Sequence, residues 1–352
     1  MIWIGLGASA LFLIALFWRA RGPSTAPEER PRERSKTPPR VAPPEDDDVE
    51  VTLVRAPPEP TAEPEEGEDE GASTTTPFYP DDEPDAAFDE PTQPATRFLV
   101  SACGQTDRGL ARRRNEDSFL MAEEKGVFVV ADGMGGYSGG KVASELAVAT
   151  LRDVFESGAF TEPLDPSVPR RGAEIAWAVQ KANAAVFARS QTDAELAQMG
   201  TTVVAARFSS NKQRAYVAHV GDSRAYRFRA GKLRRLTTDH TMAQLGFKGR
   251  ASAHLYRAVG IAPNVDVDLV IDKPRPEDVY LLCSDGLTKM ATDEDIEAVL
   301  GANLDDPETA AYSLIEIAND HGGKDNVTCI VVKVVERLPI RMPEPKQDLE
   351  GD

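Results

Sequence analysis

The chain has 352 residues, of which 58 are acidic and 40 are basic, and its formal net charge at pH 7 is −18. This charge argues against a nucleic-acid-binding protein, because such proteins present a basic surface to phosphates. The three cysteines, Cys103, Cys283 and Cys329, are far apart and form no CxxC pair, which argues against a disulfide framework or a zinc site. We therefore predict reduced, buried thiols.

The chain begins with an apolar segment, and residues 2–18 contain no charged side chain. A helix over these residues would be about 26 Å long, at the short end of a bilayer span. Basic residues follow the segment and none precedes it, so the positive-inside rule places the rest of the chain in the cytoplasm. A cleaved signal peptide is the alternative, but it would need positive charge before the apolar run. We predict a single-pass transmembrane helix over residues 1–18.

Residues 19–94 differ in composition from everything that follows. They contain sixteen of the chain's 26 prolines, and residues 41–94 hold 18 acidic side chains against one basic residue, Arg55. Such a segment cannot bury enough apolar surface to offset the entropy of ordering it. We predict a disordered, Pro-rich, acidic linker, in which threonines beside prolines or acids are candidate phosphorylation sites.

From residue 98 the pattern changes to alternating strands and helices. Apolar runs such as "RFLVSACGQTD", "GVFVVADG", "TTVVAARFS", "RAYVAHVGDS", "VYLLCSDG" and "NVTCIVVKVVE" predict strands, and "RAYRFRAGKLRRL" predicts a hairpin. Helical spacing occurs in "GGKVASELAVATLRDVF", in "AEIAWAVQKANAAVFARS" and over residues 293–300 and 306–319. We predict one layered α+β domain over residues 95–336, followed by a C-terminal tail over residues 337–352.

Acidic residues stand where several of these strands begin or end. Asp132 follows "VFVVA", Asp222 follows "YVAHVG", Asp285 follows "YLLCS" and Asp325 precedes "NVTCIVV", while Glu116 and Asp117 form a further acidic pair. Any one of them could be an ordinary turn residue. Together at one end of a sheet they would raise each other's pKa values, and they coexist readily only around cations. An oxygen-rich set without a cysteine cluster favours Mg²⁺ or Mn²⁺.

Seven motifs in order carry a resemblance to a known family. They are "TDRGLARRRNED", "ADGMGG", "GTTVVAA", "VGDSRAY", "DHT", "CSDGL" and "KDNVT". The set resembles that of the metal-dependent serine/threonine phosphatases, the protein phosphatase 2C family, in its bacterial form. The resemblance runs from about residue 98 to 336 and implies a four-layer sandwich of two antiparallel β-sheets flanked by helices.

The resemblance also implies a set of functional residues. Asp132 would bridge two core ions of Mn²⁺ or Mg²⁺ and be catalytic, Gly133 would offer its carbonyl, and Asp222 would share a possible third ion with Asp285. Arg112 would be catalytic and hold the substrate phosphate. The implied metal ligands are Glu116, Asp117, Asp132, Gly133, Asp222, Asp285 and Asp325. The four histidines, which show no metal-binding spacing, are assigned structural or outer-shell roles.

The implied reaction is hydrolysis of phosphoserine and phosphothreonine in proteins by a water that two metal ions share and activate. Its partners would be phosphoproteins, and by analogy it would oppose serine/threonine kinases at the same membrane, with its catalytic domain in the cytoplasm. Two features depart from the family: Met134 stands where animal members carry histidine, and the flap between "DHT" and "LYRAVG" is short. The alternative is a catalytically weak or inactive signalling or binding module with the same fold.

Overall fold

The computed structural model describes residues 49–55, 98–135, 139–160, 164–165, 167–209 and 213–336. The strands are β1 Val49–Val54, β2 Phe98–Asp107, β3 Asp117–Ala122, β4 Val127–Met134, β5 Gly200–Thr201, β6 Val203–Ser209, β7 Arg214–Val220, β8 Arg224–Arg229, β9 Lys232–Arg235, β10 Val267–Asp272, β11 Val279–Cys283 and β12 Val327–Glu336. The α-helices are α1 Gly139–Ser157, α2 Arg170–Thr192, α3 Asp285–Thr288, α4 Asp293–Ala302 and α5 Pro307–Asp320.

The strands form two antiparallel sheets. The first has the order β1-β10-β7-β6-β4-β3, with β5 paired to β4, and the second has the order β2-β12-β11-β8-β9. Their inner faces meet in an apolar layer that includes Phe128 and Val217 from the first sheet and Leu282 and Ile330 from the second. This confirms the prediction of an α+β fold with two antiparallel sheets.

Helices cover the outer face of each sheet. Leu151 of α1 and Ile175 of α2 share one core cluster with residues of the first sheet. Ile296 of α4 and Leu314 of α5 share another with β8, β11 and β12 of the second sheet. The resulting sequence of layers is helices, sheet, sheet, helices, in agreement with the predicted four-layer sandwich.

Local sequence explains where several elements begin and turn. The α4 helix starts with a capping box, in which the Thr292 hydroxyl accepts from the Asp295 N–H and the Asp295 carboxylate accepts in return. Between β8 and β9, Ala230 and Gly231 both have positive φ, at 49° and 78°. Two such residues make the tight turn that suits the twist of a hairpin, and the predicted hairpin is confirmed.

The predicted strands and helices listed for the folded region are present, but four strands were not predicted. Three of them, β3, β5 and β10, lie within the folded region, and the fourth, β1, lies inside the segment predicted as disordered linker. Residues 49–54 pair along their whole length with β10, from Val49 opposite Asp272 to Val54 opposite Val267. Val54 is buried in the core between the first sheet and its helices. For these six residues the linker prediction is wrong, because backbone pairing and one buried side chain offset the unfavourable composition around them.

The predicted membrane anchor over residues 1–18, the rest of the linker and the tail from residue 337 lie outside the described residues. Within the described ranges, no helix combines the length and the apolar character that crossing a bilayer would require. The predicted burial is found for Cys283 and Cys329, whereas Cys103 is half-buried.

Candidate metal centre

The centre is built first on a pair of aspartates that face each other across two strands. In the β3–β4 ladder, Asp117 lies directly opposite Asp132, and side chains at such positions are about 4.5–5.5 Å apart at Cβ. Asp117 is buried, and its Oδ2 accepts hydrogen bonds from Ser284 Oγ at 2.8 Å and Thr328 Oγ1 at 2.7 Å. Its other oxygen, Oδ1, has no hydrogen-bond partner among the described residues.

Three further aspartates reach the same place from other strand ends. Asp222 follows β7 of the first sheet, Asp285 is the first residue of α3 after β11, and Asp325 precedes β12 of the second sheet. All three line a cavity of about 500 Å³ that Glu116, Asp132 and Gly133 also line. Asp285 Oδ1 is buried and, within the described part of the chain, has no hydrogen-bond partner. The structure thus brings all the sequence-predicted acidic residues together, with Asp117 just behind the cavity wall.

The carboxylates lie close enough together to raise one another's pKa values. Burial, followed by the charges of Asp117, Asp285, Asp325 and Asp222, raises the pKa of Asp132 well above its usual value. Burial also raises the pKa of Asp117 to about 6 and, together with the charge of Asp285, that of Asp222 to about 7. Carboxylates this close carry their full charge comfortably only when cations neutralise them.

Two basic side chains lie against this acidic cluster. The Arg112 guanidinium, which is 51% exposed, has Nη2 at 2.9 Å from both carboxylate oxygens of Asp325. The Lys289 ammonium contacts the Asp285 carboxylate and lies 3.6 Å from Asp325 Oδ2. Arg112 was predicted from the sequence, whereas Lys289 was missed because nothing in the motif "CSDGL" marks a lysine one helical turn later.

Glycines are required next to Asp132 because the main chain at the end of β4 and at the start of α1 comes into close contact there. A Cβ added at Gly133 would lie 2.1 Å from the carbonyl oxygen of Gly140 and 2.6 Å from that of Glu116. A Cβ at Gly140 would lie 2.7 Å from the Gly133 oxygen and 2.8 Å from Glu116 Oε2. The start of α1 therefore packs directly on the end of β4, and any side chain at either glycine would push the loop with Glu116 away from Asp132.

Asn326, which sequence reasoning did not single out, holds the loop that carries Arg112 and Glu116. Its Oδ1 accepts from the Glu116 N–H at 2.9 Å, and its Nδ2 donates to the carbonyls of Arg108 at 2.9 Å and Arg114 at 2.8 Å. One buried amide thus ties the loop between β2 and β3 to the residue after Asp325. Asn326 is the last letter of "KDN", but the sequence does not show which carbonyls it binds.

Two histidines support the turn that presents Asp222. His240 Nδ1 accepts a hydrogen bond from the N–H of Gly221 at 3.1 Å, and its ring stacks on His219 with centroids 4.6 Å apart. Burial lowers the pKa of His219 to about 4, so this ring is neutral. His219, His240 and Asp268 could together surround an ion, but Arg257 already lies 2.5 Å from Asp268. Their placement fits the predicted structural or outer-shell role.

Comparison with known proteins places this arrangement in context. The family model described as "Protein phosphatase 2C" matches residues 111–309. Among curated proteins, the chain is 36% identical over 249 residues to the serine/threonine protein phosphatase PstP of Mycobacterium tuberculosis, covering 68% of this chain and 46% of that protein. It is 35% identical over 243 residues to the serine/threonine phosphatase stp of Listeria welshimeri, covering 65% of this chain and 94% of that protein. The chain thus spans about half the length of the mycobacterial relatives.

Solved structures show the same likeness. A crystal structure of the catalytic domain of PstP in complex with two manganese ions superposes with a TM-score of 0.58 at 35% identity, covering 68% of this chain and 99% of that one. PppA, described as a regulatory component of type VI secretion in Pseudomonas aeruginosa, superposes with a TM-score of 0.60 at 32% identity, covering 68% of this chain and all of that one.

Proposed function

The chain belongs to the protein phosphatase 2C family, and from this membership we propose that it is a metal-dependent protein-serine/threonine phosphatase, a phosphoric monoester hydrolase acting on phosphoserine and phosphothreonine. One observation carries the proposal: carboxylates from both sheets and the Arg112 guanidinium meet at a single cavity. A cavity with so much negative charge suits divalent ions, and an arginine at its edge suits a phosphate.

The residues fit a pair of Mn²⁺ or Mg²⁺ ions. The donor set consists of oxygens, as hard cations prefer, and two buried carboxylate oxygens, Asp117 Oδ1 and Asp285 Oδ1, have no hydrogen-bond partner among the described residues. A related domain was crystallised with two manganese ions. We propose that the ions are held by Glu116, Asp117, Asp132, the carbonyl of Gly133, Asp222, Asp285 and Asp325. When bound, such ions would make a water nucleophilic at neutral pH and would neutralise charge on the phosphoryl group.

The chain's own residues orient the substrate. The Arg112 fork lies beside Asp325 and is half exposed to the cavity, so it can bind two phosphate oxygens in a bidentate manner. The loop that carries Arg112 is fixed by Asn326, which limits where a phosphate can bind. Met134 lines the cavity and has no proton to donate, so the proton for the leaving serine or threonine oxygen comes from another group.

An inactive binding module with this fold is not favoured. Loss of a metal ligand would mark such a module, but every acidic residue of the predicted set is present and directed into the same cluster. The short flap does contribute to the cavity, through Ala253 and His254. Its length therefore bears on substrate choice and leaves the acidic cluster intact.

The proposal also includes a location and a role. Residues 1–18 would anchor the chain in the membrane with the catalytic domain in the cytoplasm, where the phosphatase would oppose serine/threonine kinases. The supporting feature is the uncharged run over residues 2–18 followed by arginines. Fractionation of cells into membrane and soluble protein would test it: the full chain should sediment with membranes, and a chain lacking residues 1–18 should not.

Asp132→Asn is the sharpest test of the activity. The full chain, purified in mild detergent, should hydrolyse p-nitrophenyl phosphate and a phosphothreonine peptide with Mn²⁺ at neutral to mildly alkaline pH, and should stop when a chelator is added. Asp132→Asn should lose at least about 100-fold in kcat/KM, since even the supports of metal ligands contribute about 10- to 100-fold. Asp153→Asn, an exposed position on α1, is the matched control. Full Mn²⁺-dependent activity in Asp132→Asn would contradict the proposal.

A further inference from the structure

A second cavity, of about 270 Å³, adjoins the cavity that the acidic cluster lines. The two cavities have four lining residues in common: Tyr256, Arg257, Ala258 and Ile261. Two of these carry large aromatic or apolar side chains that face water, since Tyr256 is 40% exposed and Ile261 is 52% exposed. A molecule bound at the acidic cluster can therefore extend into the second cavity along exposed apolar surface.

Strand pairing places Ile261 beside the acidic cluster. Met134, the last residue of β4 and two residues beyond Asp132, pairs with Gly200 of β5. A Cβ added at Gly200 would lie 2.7 Å from Ile261 Cδ1 and 3.0 Å from Met134 Cε. The ends of these two side chains thus meet over Gly200, and both line the first cavity. Together they form an apolar surface next to the place where a phosphate would bind.

The turn that carries Ile261 is fixed by one buried side chain, Asn183 of α2. Its Oδ1 accepts from the N–H of Gly260 at 2.8 Å, and its Nδ2 donates to the carbonyls of Ala262 and Pro263, both at 3.0 Å. Single exposed apolar residues are common on protein surfaces. This one is held at the rim of two cavities by three hydrogen bonds from a buried amide, so it offers a ligand a preformed contact.

The other exposed side chain, Tyr256, is also held by its neighbours. Its ring centroid lies 5.5 Å from that of His240 and 5.6 Å from the guanidinium carbon of Arg257, and its backbone N–H donates to the His240 carbonyl at 2.9 Å. Arg257 Nη1 in turn donates to Asp268 Oδ1 at 2.5 Å. Because this carboxylate neutralises the arginine, the second cavity suits an apolar side chain better than a second phosphate.

We propose that the second cavity binds an apolar side chain that flanks the phosphorylated serine or threonine of the substrate, and that Ile261 and Tyr256 determine this preference. The inference rests on the proposed function, because it assumes that the phosphate binds at the acidic cluster. An extended peptide advances about 3.3 Å per residue, so a side chain a few positions from the phosphate reaches an adjoining cavity. Burial of its apolar surface against Ile261 and Tyr256 favours leucine or methionine over polar residues.

A leucine scan of phosphopeptides tests the inference. The full chain, in mild detergent with Mn²⁺, releases phosphate from phosphothreonine peptides of serine and alanine that carry one leucine within about three residues of the phosphothreonine. Leucine at one position, or at two on the same side, should raise kcat/KM by about fivefold to tenfold over serine, as partial burial of an apolar side chain predicts. Ile261→Ser and Tyr256→Ser should each reduce this preference to about twofold or less. Val51→Ser, which changes an exposed apolar residue that lines neither cavity, is the matched control and should keep the preference.

The scan separates failure of this inference from failure of the proposed function. Equal kcat/KM for all the peptides, or an unchanged preference in either cavity variant, would overturn the role of the second cavity and leave the phosphatase function intact. So would a preference for lysine over leucine at the same position, which would assign the cavity to Asp266, another of its lining residues. No phosphate released from any peptide would overturn both proposals. Because Ile261 and Tyr256 are exposed, their replacement should not unfold the protein, and circular dichroism of each variant checks this.

Discussion

At the scale of single residues, the centre is defined by how strongly its carboxylates repel one another. Asp117, Asp132 and Asp222 all have pKa values raised by burial and by neighbouring acids. In the metal-free protein they therefore hold protons at pH values where a free aspartate would be ionised. A bound ion needs the ionised form, so protons and metal compete for the same oxygens.

We predict that Mn²⁺ binding releases protons and weakens as the pH falls. At pH 6, Asp222, with a pKa of about 7, is mostly protonated and Asp117, with a pKa of about 6, is half protonated. Binding should release at least about one proton per chain at this pH, and few at pH 8. Isothermal titration calorimetry in buffers with different ionisation enthalpies measures the number directly. Binding enthalpies that do not depend on the buffer at pH 6 would contradict the prediction, and Asp222→Asn should reduce the release.

The same raised pKa values also make the stability of the metal-free fold depend on pH. These folded-state pKa values are raised above the unfolded value near 3.8, so the folded metal-free chain binds more protons than the unfolded chain between these limits. The stability that these groups contribute is fully present below the unfolded pKa near 3.8, falls as the pH rises above it, and is lost once the pH has passed the folded values of about 6 and about 7. Metal bound at the proposed site would remove this loss, because it would replace the protons.

Four of the acidic residues could be found from sequence because each follows or precedes an apolar strand: Asp132, Asp222, Asp285 and Asp325. The pair Glu116 and Asp117 was found through the family motif that contains it. Lys289 and Asn326 could not be found in this way. A lysine after a helical turn is ordinary on any surface, and the role of an asparagine depends on which distant carbonyls lie beside it, as those of Arg108 and Arg114 do here. Sequence patterns show where strands end, but they do not show which side chains from other elements meet there.

At the scale of elements, β1 is the strand that the composition of its segment did not predict. Val51 and Leu53 of this edge strand are exposed, while Val54 is buried in the core. The prolines and acids on either side of residues 49–54 led to the prediction of a linker. The larger elements were easier to predict because their own apolar residues determine them, whereas β1 exists mainly because β10 offers it an edge to pair with.

We predict that Val54→Asp destabilises the domain and that Val51→Asp does not. A carboxylate at the buried position would be taken from water without a partner, which should lower the free energy of unfolding by about 2–4 kcal/mol. At Val51, which is 62% exposed, the same change should stay within about 0.5 kcal/mol. Urea denaturation of the two variants and the wild type measures the difference. Equal stabilities for the two variants would mean that β1 does not hold to the sheet in solution.

At the scale of the whole molecule, the candidate metal centre brings together side chains from both sheets. Asp117 and Asp132 lie in strands of the first sheet and Asp222 follows β7 of that sheet, whereas Asp285 follows β11 and Asp325 precedes β12 of the second sheet. Ions bound as proposed would connect the two sheets at this end of the sandwich. The fold class and the order of the elements could be predicted because the spacing of apolar residues indicates strands and helices. The connection between the two sheets could not, because it depends on tertiary geometry.

We predict that Mn²⁺ stabilises the fold and protects both sheets together. At about 100 times the dissociation constant, one site should add roughly 2.7 kcal/mol, which corresponds to a rise in Tm of roughly 5–10 °C for a domain of this size. Thermal unfolding with Mn²⁺ and with chelator measures the rise, and Asp132→Asn should abolish it. Hydrogen exchange should slow at the end of β4 and at the start of β12 alike. Protection confined to one sheet would contradict a connection between them.

The pairing of β1 with β10 also matters for anyone who prepares the folded domain alone. A fragment that starts at residue 95, where the change of composition suggests a boundary, lacks β1 and leaves the Val267–Asp272 edge uncovered. An open edge of backbone donors and acceptors is a template for strand addition by a neighbouring molecule. Such a fragment should self-associate at high concentration, whereas one that starts upstream of Val49 carries its own protective strand.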